Sequence, residues 1–336
     1  MIREAIASVV DGNSLPRHDA EAVMLEIMDG TATPAQFGAL MVALRMKGET
    51  AEELAGFATA MRAHVKPVSA HAAVVDTCGT GGDGAQTFNI STVAALTVAA
   101  AGQPVAKHGN RAMSSACGSA DVLEGLGVNI QLGPEQVAAS IASTGFGFMF
   151  APLYHPGMRF ASPLRREVGV RTAFNLLGPL TNPASARHQL LGVPNTSTGE
   201  RLAQAMALLG TEHALLVCGE GSMDELTLTG ASEVWEIRAH AVQRYVVTPE
   251  QFGLQRCDRA ALKGGDVATN VAITHSVLAG EAGPRLDVVL LGAGAALYAA
   301  DAVATIDQGI ARAREAIASG AAAATLDRVI AFGAVG

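Results

Sequence analysis

From Ala73 onward, short apolar runs alternate with segments of helical texture: AVVDTC, STVAALTVAAAG and PVAKHG, then FGFMFAP, HALLVCGEG and VVLLGAG, each near a helix-like stretch. Strands separated by helices predict a parallel sheet with helices on both faces. The first 65 residues lack this alternation and read as helices. Thr33-Pro34 puts proline at the first helical position, and Phe37, Leu40, Met41 and Leu44 then recur at helical spacing. Thr50 with Glu53 forms a capping box ahead of Leu54, Phe57 and Met61, and Lys66-Pro67 closes the region. The expected fold class is α/β: a small all-helical domain plus a larger domain with a mainly parallel central sheet flanked by helices. The stretch 157–185, with Pro163, Arg165, Arg166, Pro179 and Pro183, interrupts the alternation and reads as an excursion out of the sheet domain.

The chain has 336 residues, 49% of them hydrophobic and 16% charged, enough for about two domains with a large core. Its net charge of −8 argues against a general nucleic-acid binder. Cys78, Cys117, Cys218 and Cys257 lie far apart with no C-x-x-C pair, which suits reduced thiols of a cytoplasmic protein rather than a disulfide frame or a zinc site. The N-terminus carries Arg3 and Glu4 and no long apolar stretch, so no signal peptide is expected. VAALTVAAAG at 93–102 is half of a membrane span and reads as a buried helix, and no membrane association is expected.

Residues 76–92, DTCGTGGDGAQTFNIST, raise the question of a ligand. Gly79, Gly81 and Gly84 fit G-x-G-x-x-G, but a dinucleotide site needs the helix to begin inside the motif. Here AQTFNI intervenes, and the expected helix cap is Ser91 or Thr92. A ribose-binding acid should follow about 20 residues on, where this chain reads PVAKHGNR. No G-K-[ST] follows either. What remains is a glycine-rich turn, a polar helix start (Asn89, Ser91, Thr92) and a second loop carrying Lys107, Asn110 and Arg111. Backbone donors, hydroxyls and cations at strand ends favour a multiply phosphorylated ligand. Asp83 could meet phosphate only through a cation or a sugar hydroxyl. Asp224-Glu225, after HALLVC and a glycine-bearing turn, is a carboxylate pair suited to Mg²⁺ beside phosphates.

LMVALRMKGET, DTCGTGGDG, NIST, KHGNRAMSSACGSADVLEGLG, FMFAPLYHPGMR, GVRTAFNLLGPLTNPA and MDELTLTG stand in this order over nearly the whole chain. Together they resemble the anthranilate phosphoribosyltransferase family of tryptophan biosynthesis, among the nucleoside-phosphorylase-like transferases. The resemblance implies a homodimer and a discontinuous helical domain, 1–68 and 160–185, with a large α/β domain at 72–159 and 186–336. It implies transfer of phosphoribose from phosphoribosyl pyrophosphate (PRPP) to anthranilate. PRPP contacts then fall on Gly79, Gly82, Asp83, Thr87, Asn89, Ile90, Ser91 and Thr92. They continue on Lys107, His108, Gly109, Asn110, Arg111, Ala112, Met113, Ser114, Ser115 and Ser119. Anthranilate contacts fall on Gly79, Asn110 and Arg165, and Mg²⁺ ligands on Ser91, Asp224 and Glu225. Ala116 and Cys117 depart from a basic residue and a serine in many relatives. His108 is a candidate base or a residue that shapes the loop; His155 reads as structural or pocket-lining, and Arg166 as solvated. The rival functions are a pyrimidine nucleoside phosphorylase of the same fold and a non-catalytic nucleic-acid-binding relative.

Overall fold

The computed structural model describes residues 1–112 and 116–335. One sheet holds β1 (Val75–Gly79), β2 (Val105–Gly109), β3 (Phe146–Phe150), β4 (His188–Gly192), β5 (His213–Gly219), β6 (Ser232–Arg238) and β7 (Ala241–Val247). The strand order is β3-β2-β1-β4-β5-β6-β7. The first five are parallel, and β6 and β7 add antiparallel at one edge. The mainly parallel sheet of the sequence analysis is therefore present, beside a helical N-terminal domain. From β1 the sheet grows one way to β2 and β3; from β4 it grows the other way. Loops leaving β1 and β4 diverge at such a switch point, and a crevice opens outside their carboxyl ends. Gly79 and Gly192 face each other there in register.

Strand alternation sends side chains to two cores. Leu190, Leu215 and Val217 join a cluster with the helix Ile90–Ala100, the helix Pro284–Ala299 and the helix Ile306–Ala318. Leu191, Ala214, Leu216 and Trp235 join the helix Thr196–Leu208 and, beyond it, the N-terminal helices. Those are α1 (Ile2–Val10), α2 (Arg17–Met28), α3 (Pro34–Lys47) and α4 (Ala51–Ala63). Both expected helix starts are formed: Thr33 and Gln36 cap α3 reciprocally, with Pro34 at its first position, and Thr50 and Glu53 do the same for α4. Glu53 is fully buried and also accepts the Leu15 N–H and Lys47 Nζ, each at 2.9 Å, so one capping residue ties three segments together. The helix Met158–Val168 packs on α2 and α3, and Phe174 stacks on Phe37 with ring centroids 5.7 Å apart.

Two local expectations change. VVLLGAG lies within the helix Pro284–Ala299, buried from Val288 to Leu297, and is not a strand. A run apolar on every side cannot distinguish a buried strand from a buried helix; Pro284 at the start and the 16-residue length mark the helix. HQLLG, SEVWEIR and AVQRYVV supply strands that the alternation did not single out. The expected buried helix at 93–102 forms as Ile90–Ala100, with Val93 to Ala99 all buried. No single helix among the described residues is long and apolar enough to cross a membrane.

Candidate active site

The glycine loop leaves β1 at the switch point. Gly81, Gly82 and Gly84 have φ of 67°, 75° and 68°, a left-handed turn that suits glycine. The Gly81 N–H donates to Asp224 Oδ2 at 2.8 Å. Asp83 accepts the Ala85 N–H at 3.0 Å and the Asp224 N–H at 3.3 Å. A β-carbon on Gly79 or Gly192 would overlap Asp224, so both strand ends must be glycine for the 224–225 loop to lie across them. Glu225 Oε1 in turn accepts the Ser91 N–H at 3.1 Å. The helix thus begins at Ile90, before the expected cap, and Asn89 spends its amide on the Cys117 carbonyl at 3.1 Å.

Asp83, Asp224 and Glu225 bring three carboxylates into one polar cavity of about 320 Å³. Burial and then the charge of Asp83 push the Asp224 carboxyl well above the usual range; burial and then Asp224 push Glu225 to about 8. Carboxyls raised in this way are short of positive charge, Lys107 offsetting only part of the shift at Glu225, and oxygen-only donors beside a loop of N–H groups fit Mg²⁺. The cavity also holds unspent polar groups: Thr80 Oγ1, Asn89 Oδ1 and Thr92 Oγ1 are buried without a partner among the described residues. Buried polar atoms are normally paired, and here each borders space for a ligand. Thr87, Ile90 and Ser91 line the same cavity.

Lys107, His108 and Gly109 differ from their expected place in a loop: they are the last residues of β2. Lys107 is 1% exposed and lines the inner wall of the polar cavity, its Nζ donating to the Thr77 carbonyl and standing 3.5 Å from Ser91 Oγ. Burial lowers its pKa, opposed by the charge of fully buried Asp76. Asn110 starts the loop proper. Arg111 turns away from the cavity centre to Asp121 (3.0 Å) and Glu124 (2.7 Å) and lies over the Phe150 ring. Asp121 also accepts the N–H groups of Ala112 and Gly118, both at 2.9 Å, and Ser119 Oγ donates to the Asn110 carbonyl. Met113, Ser114 and Ser115 lie outside the described residues.

A second, mainly apolar cavity of about 560 Å³ opens between the domains. Met61, Pro152, Met158, Phe174 and Pro179 give it walls, and Arg165 enters from the helix Met158–Val168. The Arg165 guanidinium lies over the Phe174 ring at 5.3 Å and makes no ion pair among the described residues; burial lowers its pKa. Arg166 is exposed. His108 and His155 border this cavity, with Nε2 atoms 3.1 Å apart. His108 Nδ1 faces the Gly178 carbonyl at 3.2 Å and must donate there, so its Nε2 accepts from His155 Nε2–H. Burial, then His155, lowers His108 to about 3; burial lowers His155 to about 4. The two cavities share Cys78, Gly79, Thr80, His108, Gly109, Asn110 and Asn175.

Sequence reasoning named neither Gly192 nor the buried Asp76, and gave Arg171 and Asn175 no role. The last two stand in the quoted GVRTAFNLLGPLTNPA motif, which was the available signal.

Residues 3–65 match the model of the glycosyl transferase family, helical bundle domain, and residues 71–323 that of the glycosyl transferase family, a/b domain. Fold and cleft therefore define a two-domain glycosyl transferase. The chain is 57% identical over 332 residues to the anthranilate phosphoribosyltransferase of Chloroflexus aggregans, 98% of each chain being covered. The Thermus thermophilus anthranilate phosphoribosyltransferase has the same fold, with a TM-score of 0.93 at 45% identity over 98% of this chain and 99% of that one. The Saccharomyces cerevisiae enzyme in complex with PRPP and Mg reaches 0.90 at 27% identity over 99% and 98%. The chain belongs to the anthranilate phosphoribosyltransferase family, as the ordered motifs imply.

Proposed function

We propose that the chain transfers the phosphoribosyl group of PRPP to the amine of anthranilate, giving N-(5-phosphoribosyl)anthranilate and pyrophosphate, a cytoplasmic step of tryptophan biosynthesis. The observation that carries this reading is the pairing of the cavities. A polar one with carboxylate oxygens and unspent hydroxyl and amide-oxygen groups meets an apolar one whose arginine has no ion pair among the described residues, across Gly79 and Asn110. Family membership disfavours the phosphorylase and the nucleic-acid-binding alternatives.

In the polar cavity, the glycine-loop N–H groups and the Thr92 hydroxyl donate to the phosphates, while Asn89 Oδ1 accepts from a ribose hydroxyl. Ser91, Asp224 and Glu225 would hold Mg²⁺, which neutralises charge on the departing pyrophosphate. Arg165 grips the anthranilate carboxylate while Phe174 and Met158 flank the ring. The ortho amine then points across the shared residues to the ribose. An aryl amine is neutral at pH 7 and carries its lone pair, so positioning and electrostatics supply most of the rate. His108 is held neutral with its Nε2 lone pair already engaged, which favours shaping the pocket over acting as base. Decay of anthranilate fluorescence that requires both PRPP and Mg²⁺, with no turnover of thymidine and phosphate, tests the reaction. Lack of decay would refute it.

The helical domain (1–68 and 160–185) is proposed as the dimerisation surface. Val10 on α1 and Val42 and Met46 on α3 are exposed, Met46 at 84%. Sedimentation checks this: a monomer at micromolar concentration contradicts it.

A further inference from the structure

The excursion that brings Arg165 to the apolar cavity carries another arginine to the polar one. Arg171 lines the polar cavity beside Gly82 and Asp83. Its guanidinium lies so close over Gly82 that a β-carbon there would overlap Nη1. Among the described residues the side chain has neither hydrogen bond nor ion pair. Its main chain, by contrast, is pinned. The Arg171 carbonyl accepts Arg45 Nη1 from α3 at 2.7 Å, and the next N–H, of Thr172, donates to Asn175 Oδ1 at 2.9 Å. The backbone is fixed from the helical domain while the charged end reaches the glycine loop without a partner.

A half-buried guanidinium with no counter-ion, in a chain of net charge −8, implies an anion that arrives with a ligand. Resting on the reading of the site given above, we infer that Arg171 binds the diphosphate of PRPP, the leaving-group end and not the ribose 5-phosphate. Gly82, which it overlies, and the neighbouring Asp83 adjoin Asp224, which would hold the Mg²⁺ that neutralises charge on the diphosphate. A planar fork accepts two phosphate oxygens at once, and it keeps its grip as the bond to the ribose lengthens and negative charge builds on the departing group. One segment then touches both substrates, Arg165 the carboxylate and Arg171 the diphosphate. Arg45 makes the second contact depend on how the helical domain sits against the glycine loop.

Calorimetry on the full chain with Mg²⁺ tests this, using inorganic pyrophosphate and ribose 5-phosphate as separate probes. Arg171→Ala should weaken pyrophosphate about 10-fold, leave ribose 5-phosphate unchanged, and raise the KM for PRPP but not for anthranilate. Arg171→Lys should recover part of the loss. Equal pyrophosphate affinity in wild type and Arg171→Ala would overturn the inference alone. So would an equal loss for both probes, which would mean that the variant merely disturbs the loop. Wild-type protein that binds neither pyrophosphate nor PRPP would overturn the functional reading, and this inference with it.

Discussion

The two cavities differ in how they are built. The polar one is assembled mainly from the carboxyl ends of strands and the loops leaving them, with Arg171 and Asn175 reaching in from the 160–185 segment. Its parts are cross-linked: Gly81 to Asp224, Asp83 to Asp224, Glu225 to Ser91. The apolar one is assembled from both domains, with Met61 on α4, Arg165 on a helix packed against α2 and α3, and Phe174 inside the helical core. The first draws its donors from loops tied to strand ends and to one another by hydrogen bonds. The second depends on how two bodies meet. Changes in the polar cavity should therefore strike chemistry and local order together, and changes in the apolar one should strike anthranilate recognition alone.

The largest expected effect lies in the polar cavity. Asp224→Ala with Glu225→Ala should lower turnover roughly a thousandfold, the several kcal/mol expected of lost charge stabilisation. Because both carboxylates also anchor loop N–H groups, excess Mg²⁺ should not restore the rate. Steady-state kinetics at raised Mg²⁺ checks this, and a fully active double variant would break the comparison at its root.

Lys107 separates inner wall from contact surface. The sequence suggests a loop cation whose loss weakens PRPP; the buried position predicts more. Lys107→Ala leaves Asp76 and Glu225 without their compensating charge and should cost about 3–5 kcal/mol of stability. Urea denaturation measures it. A stable variant with only a raised KM for PRPP would return Lys107 to the role of a surface contact.

Arg165→Ala should act on recognition alone. Losing a charged hydrogen-bond pair costs roughly 1.5–3 kcal/mol, or about 10- to 150-fold in the KM for anthranilate. The KM for PRPP and the melting temperature should hold, and lysine should restore part of the affinity. If the PRPP KM rises in parallel, the cavities are not separable at this residue.

The smallest effect concerns the wall between the cavities. His155 is held at about 4 by burial, against an ordinary value near 6.5. Below about 6.5 the unfolded chain takes a proton that the folded one refuses. Stability is therefore lost as pH falls from there towards 4, with a slope of about 1.4 kcal/mol per pH unit. His155→Gln should flatten the stability profile by that amount between pH 5 and 6, as read by urea melts. Parallel profiles would show that His155 is hydrated and protonates freely.

Much of the polar cavity was legible because its chemistry is written in residue type over short spans. DTCGTGGDG, NIST and MDEL are contiguous, and glycine, hydroxyl and carboxylate each have a narrow set of uses at strand ends. Of the apolar cavity, Gly79, Asn110 and Arg165 were legible only through the family resemblance and His155 only as structural or pocket-lining, while Met61 read as an ordinary helix-core residue. Gly192 escaped because its reason for being glycine, Asp224 lying across it, is a contact between distant segments.

By itself, the sequence determined what local physics can decide. Periodicity marked the helical start, α3 and α4 with their caps, and the turn to alternating strands and helices. Motif order determined the family. The tertiary structure alone decided the rest: that Lys107 lies buried in a strand at the site, that VVLLGAG is a helix, and that Arg111 turns to Asp121 and Glu124 while Arg171 has no side-chain partner among the described residues. The physical reason is that burial, pairing and charge compensation depend on which distant segments the β1/β4 switch point brings together. A residue's type carries its chemistry, but only its neighbours in space decide whether that chemistry is spent on the fold or left for a ligand.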